Sequence, residues 1–184
     1  MADSMTLRDC TPNLKRPAKS ANLPDRSRPL VLFGPPPLME GEDTQAYDEL
    51  LTQISTAVRP ADILEDIWVR DIVDLVWERF RLRRLKANLM TASAVQGLAK
   101  VLEPFMGPCD AEDLAKEWAA RKSRAIKRVD NILAATGLTM DAVMAQTLAL
   151  KLDDIERIDR MIGLAEACRN AVLREIDRHR ETLS

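Results

Sequence analysis

The stretch Thr139–Leu183, TMDAVMAQTLALKLDDIERIDRMIGLAEACRNAVLREIDRHRETL, decides the fold. It holds no proline. Placing Ile155, Ile162, Arg169 and Ile176 on one set of heptad positions puts Ile158, Ala165, Val172 and His179 on the complementary set. That spacing predicts one uninterrupted, coiled-coil-like helix over residues 139–183. At 1.5 Å per residue it would extend roughly 65 Å, longer than a compact body of this size covers, so its far end needs something to lie against. Ile155, Ile158, Ile162, Arg169, Val172 and Ile176 are the partner-binding candidates along this seam, with Arg169 at a core position helping to set register.

Upstream, the same logic yields three more helices. Asp43 or Thr44 can cap a short helix whose face carries Tyr47, Leu51, Ile54 and Val58, and Arg59-Pro60 ends it. Asp62, with Glu65 three residues on, opens a long helix that runs at least to Met90 and, past a break near residues 91–93, to Glu103 before Pro104. Its apolar surface (Leu64, Trp68, Val69, Ile72, Val73, Val76) is too broad for a single seam and marks a central helix contacted from two sides. A third helix opens at Asp110 and stops at Gly137, after which Thr139 caps the last one, and so short a link predicts an antiparallel pair. The expected fold is therefore all-α: an elongated helical bundle with a long antiparallel helical hairpin.

Composition agrees with this. The 184 residues are 46% hydrophobic and 30% charged with 6 glycines, as expected of a soluble helical protein. Residues 1–39 read as a mobile, basic, proline-containing tail and strap, and residues 40–184 as the bundle. Within the first segment the prolines of Gly34-Pro-Pro-Pro-Leu38 enforce an extended path that would lay Leu32, Phe33 and Leu38 across the helices. The cysteines Cys10, Cys109 and Cys168 are far apart, odd in number and outside any C-x-x-C pattern, which fits a reducing, cytoplasmic setting. No stretch reaches the roughly eighteen apolar residues of a membrane span.

Chemistry-bearing patterns are scarce. The one histidine, His179, sits on the heptad seam, and the di-metal Glu-x-x-His pattern would need a second. Asp153, Asp154 and Glu156 fall on different helix faces and cannot converge on an ion. Neither a glycine-rich phosphate loop nor a nucleophile elbow is present. We expect no enzyme activity, no cofactor and no metal. The arginine-rich run Arg79, Arg81, Arg83, Arg84 and Lys86 is expected to pair internally with Asp153, Asp154, Glu156 or Asp159. A second basic row, Arg121, Arg124 and Arg128, lies along one side of the third helix next to its apolar face, where the long stems are expected to cover the edge of the core, with phosphate binding by the same row as the alternative. A helix-turn-helix over residues 129–143 is disfavoured, because Met140, Asp141, Ala142, Val143 and Met144 offer no donor for base edges and the helix runs on too far.

The segments Phe33-Gly-Pro-Pro-Pro-Leu-Met-Glu-Gly-Glu-Asp43, Pro60-Ala-Asp-Ile-Leu-Glu-Asp-Ile-Trp-Val-Arg-Asp71, Phe80-Arg-Leu-Arg-Arg-Leu-Lys86, Glu156-Arg-Ile-Asp-Arg160 and Arg169–Arg180 resemble a family of small bacterial all-helical proteins with no assigned activity. The resemblance implies helical architecture and no chemistry. The chain has Cys168 where that pattern usually has a basic residue. The expected function is a non-enzymatic scaffold or adaptor, a homo-oligomer or the receptor of a helical protein partner, with no membrane role. The alternative is a nucleic-acid-associated accessory protein that holds phosphates through the basic tail and the Arg121, Arg124, Arg128 row.

Overall fold

The computed structural model describes residues 34–183, and from Pro36 onward they form one compact unit. Six helices and no strand occur among the described residues: α1 (Thr44–Val58), α2 (Ile63–Met106), α3 (Pro108–Ala119), α4 (Ser123–Ala135), α5 (Met140–Leu150) and α6 (Leu152–Leu183). Most of the expected tail, with Leu32 and Phe33, lies outside the described residues.

Local capping accounts for the element starts. Asp43 accepts from the amides of Gln45 and Ala46 at 2.9 and 3.2 Å, and Arg59 closes α1 in the left-handed region. Asp62 accepts from the Glu65 amide at 3.0 Å, while the Glu65 carboxylate reaches back to the Ala61 amide at 2.9 Å. This is a capping box displaced by one residue.

α2 is the spine, 44 residues and about 66 Å long. It does not break near residues 91–93 and passes through Pro104 to end at Gly107. The small residues there do not weaken the helix; Ser93, Ala94 and Gly97 are buried because they let α5 approach. A Cβ built on Gly97 would lie 2.0 Å from Thr147 Oγ1 and 2.7 Å from the Val143 carbonyl. Pro104 sits within the last turn, where it forfeits the bond an N–H would make to the Lys100 carbonyl and only two helical residues follow it.

The third expected helix is two. Gly107, with Pro108 at the first helical position, starts α3 in place of Asp110, which instead supplies an acid to the first turn. α3 closes at Arg121 (φ 58°), where the Lys122 amide bonds the Glu117 carbonyl and the Arg121 amide that of Trp118. α4 closes the same way at Gly137 (φ 67°), through Leu138 to Leu133 and Gly137 to Ala134.

The 139–183 helix is also two, bending at Lys151. Lys151 is four residues after buried Thr147 and four before buried Ile155, so a straight helix would press its ammonium group into the seam. α4 and α5 run at 96° to one another, not antiparallel. The long antiparallel pair is formed instead by α2 and α6, as Asp62 meets His179, Arg79 meets Glu166 and Lys86 meets Asp159. α1, α3, α5 and α6 all pack on α2. The main core joins Leu98 and Leu102 to Leu114, Ala125, Val129, Leu133 and Val143.

Candidate interaction surfaces

The heptad seam of α6 is filled by α2 of the same chain. Ile155, Ala165 and Ile176 are buried there, and Ile158, Ile162 and Val172 are half-buried. These residues are therefore occupied within the chain and are not a free docking face. Arg169 is half-buried and bonds Asn170 Oδ1 on its own helix at 2.9 and 3.2 Å, so it makes no cross-helix pair that would set register.

The arginine-rich run of α2 pairs internally, with partners only partly as expected. Lys86 Nζ meets both carboxylate oxygens of Asp159 at 2.8 Å. Arg79 and Arg83 take Glu166 at 3.3 and 3.6 Å. Arg81 and Arg84 turn away to Glu42, upstream of α1. Glu42 accepts from Arg81 Nε and Nη2 (3.0 and 2.8 Å), Arg84 Nη2 (2.6 Å), Trp77 Nε1 (2.9 Å) and the Met39 amide (3.1 Å). Arg81 also donates to the Pro37 carbonyl at 2.7 Å and to Glu78. The segment from Pro36 to Asp43 is thus held to α2 by a carboxylate, with Leu38 half-buried. Arg81 above all holds the Glu42 carboxyl well below the usual carboxylate range, against the desolvation that would raise it. Beside this clamp, buried Tyr47 donates to Asp74 and packs edge-on to Trp77 at 5.5 Å. Burial first, and the Asp74 hydrogen bond second, push its phenol up.

A second clamp closes the other end of the α2–α6 pair. Arg180 forks onto Glu65, with Nε to Oε1 at 2.8 Å and Nη2 to Oε2 at 2.7 Å, and reaches the Val58 carbonyl at 2.8 Å. The Glu65 side chain is 0% exposed, and its carboxyl is lowered chiefly by Arg180. His179 Nε2 lies 2.7 Å from Asp62 Oδ2, and its ring stands edge-on to Trp68. The last turn of α6 therefore ties together the end of α1 and the start of α2. Arg180→Met is expected to speed amide exchange in the last turns of α6 and the first of α2, while the Leu98–Leu102 region stays protected. Unchanged exchange at both ends would show that the fork does not hold them.

Among the described residues, three surfaces offer an apolar row, a row of cations or a groove. α6 carries a second strip beside the seam, in which Met161, Leu164 and Cys168 follow one another at steps of three and four residues and are exposed, Leu164 by 65%. On α4, Arg124, Lys127 and Arg128 are exposed, with Arg121 just before the helix. Finally, a groove of about 390 Å³ between α2, α3 and the end of α5 has Val95, Ala99, Pro108 and Leu150 among its walls. Its lysines are already engaged, Lys100 by Glu103 at 2.7 Å and Lys116 by Glu112 at 3.6 Å, so it presents no unpaired charge to a ligand.

No group of three or more His, Cys, Asp or Glu that could hold a metal occurs among the described residues. No single helix among them is long and apolar enough to cross a membrane. Fold and surfaces together define an all-α protein built on a long antiparallel helix pair. No protein-family profile matches the chain, and neither a curated protein nor a solved structure matches it.

Proposed function

We propose that this protein is a non-enzymatic interaction protein that self-associates along α6, through the strip of Met161, Leu164 and Cys168 and not through the heptad seam. The observation that carries this reading is a 32-residue helix lying against one long neighbour, α2, with a further apolar row facing water. A helix in that position gains by burying the row against another helix, because each large apolar side chain removed from water contributes about 1.5–3 kcal/mol. Leu85 of α2, 44% exposed and adjacent to Lys86 at the level of Asp159, extends the apolar area toward α2.

The occupant proposed is a second copy of the chain. Arg157 and Arg178 lie on either side of the row along α6, and Cys168 is its last member, about midway between them. A two-fold antiparallel pairing about Cys168 sets the two Cys168 side chains against each other and Leu164 of one copy opposite Val172 of the other.

Light scattering across concentration tests this. The expected mass is twice the 20.7 kDa of the chain at high concentration, and Met161→Glu with Leu164→Glu is expected to return it to one chain with helicity unchanged. In a Cys10→Ser, Cys109→Ser background, mild oxidation should cross-link the dimer through Cys168, whose two copies must come within about 7 Å. A wild type that stays at one chain mass at several hundred micromolar rejects self-association, and a heterologous helix then becomes the occupant to seek.

A further inference from the structure

We propose that the α3–α4 elbow binds the phosphate backbone of duplex DNA through Arg121, Arg124, Lys127 and Arg128, without reading base sequence. The inference is independent of self-association and rests on a different face of the molecule.

α4 separates its two sides completely. Ala125, Val129 and Leu133 enter the core, which obliges Arg124, Lys127 and Arg128, three and four residues apart, to share the opposite, exposed side. Arg121 extends the row from the preceding turn, its guanidinium lying 6.0 Å over the Trp118 ring. Of the cations here, Lys122 is paired with Glu117 at 2.8 Å, whereas Arg121, Arg124, Lys127 and Arg128 have no carboxylate within 4.0 Å among the described residues. The arginine-rich run of α2 is different, since there every cation has a partner. The row also runs against the fold's own interest. Arg121, Lys122 and Arg124 crowd the positive end of the α4 dipole, and α4 has neither a capping side chain nor an acid in its first turn. Its field is felt locally, because the Glu117 carboxyl is lowered by Lys122 first and by Arg124 and Arg128 as well. A row that opposes the α4 dipole and, beyond its longer-range pull on Glu117, makes no ion pair is explained by an external anion.

The kind of anion follows from what else the elbow lacks. The open side of α4 carries no large apolar residue to insert among lipid chains, as Ile126 and Ile132 are half-buried with the core side. From Arg121 to Arg128 the row spans about 10 Å along the helix, room for some three successive phosphates of one strand. α5 meets α4 at 96°, near the angle of a helix-turn-helix, and ends at Leu150, so it is not too long to be one. It still offers Met140, Asp141 and Ala142 where base-reading donors would stand. Phosphate contact without sequence readout is what remains.

The test is fluorescence anisotropy of a labelled DNA duplex of about 20 base pairs with the full chain, between about 50 and 200 mM salt. Expected is salt-sensitive binding that tolerates a change of sequence. Arg124→Gln with Arg128→Gln should weaken it some ten- to hundred-fold near 0.1 M salt and flatten the log–log salt slope by about 2, since two fewer counterions are released. Both positions are exposed, so helicity serves as the folding control. Lys100→Gln with Lys116→Gln removes the same charge from the groove between α2 and α3 and should change affinity by no more than about twofold. Absence of binding at 50 mM salt, an unchanged slope in the arginine variant, or an equal loss in the lysine variant would each overturn the proposal. So would binding to phosphatidylserine-containing vesicles without binding to the duplex.

Discussion

Gly97→Ala lowers the stability of this protein by about 2–3 kcal/mol, and its Tm by roughly 5–10 °C. The sign is the informative part. In an exposed helix the same change stabilises by about 1 kcal/mol, because alanine is the better helix former. Here the added methyl would meet Thr147 Oγ1 at 2.0 Å and, on the main chain of α5, the Val143 carbonyl at 2.7 Å and the Thr147 amide at 2.9 Å. Thr147 cannot simply rotate away, since it is fully buried and its hydroxyl donates to the Val143 carbonyl at 2.7 Å. The backbones of α2 and α5 must separate, loosening Leu98 and Val143 on either side. Thermal unfolding of Gly97→Ala beside a Gly163→Ala control decides it, as nothing lies within 4 Å of a Cβ at Gly163. Equal stabilisation of both variants would show that the helices are not in contact at Gly97.

Glu42→Ala is expected to cost about 2 kcal/mol, below the 3–5 of a deeply buried pair. Its side chain is only 3% exposed, yet the cover is thin: Arg84, one of the groups over it, is itself 54% exposed, so water still screens the site. Removing the carboxylate leaves Trp77 Nε1 without its acceptor and Arg81 with Glu78 as its one remaining carboxylate among the described residues, and it loosens the strap, which Glu42 also holds through the Met39 amide. Urea unfolding measures the loss, and chymotrypsin cleavage after Leu38 or Met39 should report the strap coming free. The same carboxylate predicts a pH dependence. Its folded-state pKa is depressed by the arginines, so the unfolded chain binds the proton more readily and stability rises with pH across that window. The contribution is complete above the unfolded value, about 4.3, and is withdrawn progressively as pH falls below it. Glu42→Ala should therefore be less acid-sensitive than wild type between about pH 4.5 and 2, and parallel acid titrations of the two would reject this account.

The two clamps explain how a spine of this length stays tied at places far from the main core. Glu42 with Arg81 and Arg84 holds the strap and the entry to α1 against α2. Glu65 with Arg180 and Asp62 with His179 hold the tip of α6 to the start of α2. With α6 so anchored, its outer row is held in position, while the cationic side of α4 is positioned separately by Ala125, Val129 and Leu133 in the core.

Local chemistry was legible in the sequence. Asp43, Asp62 and Thr139 cap where read, and Gly137 ends a helix where read, because a cap is a contact between residues two to five apart. Heptad spacing likewise identified the α6 face that is buried, with Ile155, Ala165 and Ile176 on it. Periodicity names a buried face without naming what covers it, and the tertiary structure alone supplied α2 in place of a partner molecule. Packing also decided the breaks at Arg121 and Lys151, where neither proline nor glycine announces one and both halves must reach different parts of the core. Glu42 was missed for the same reason, its partners lying 35, 39 and 42 residues away on the spine. The basic row could be read as a row. That it faces water unpaired, while the equally basic run of α2 is consumed by internal acids, depended on where the fold brought distant carboxylates.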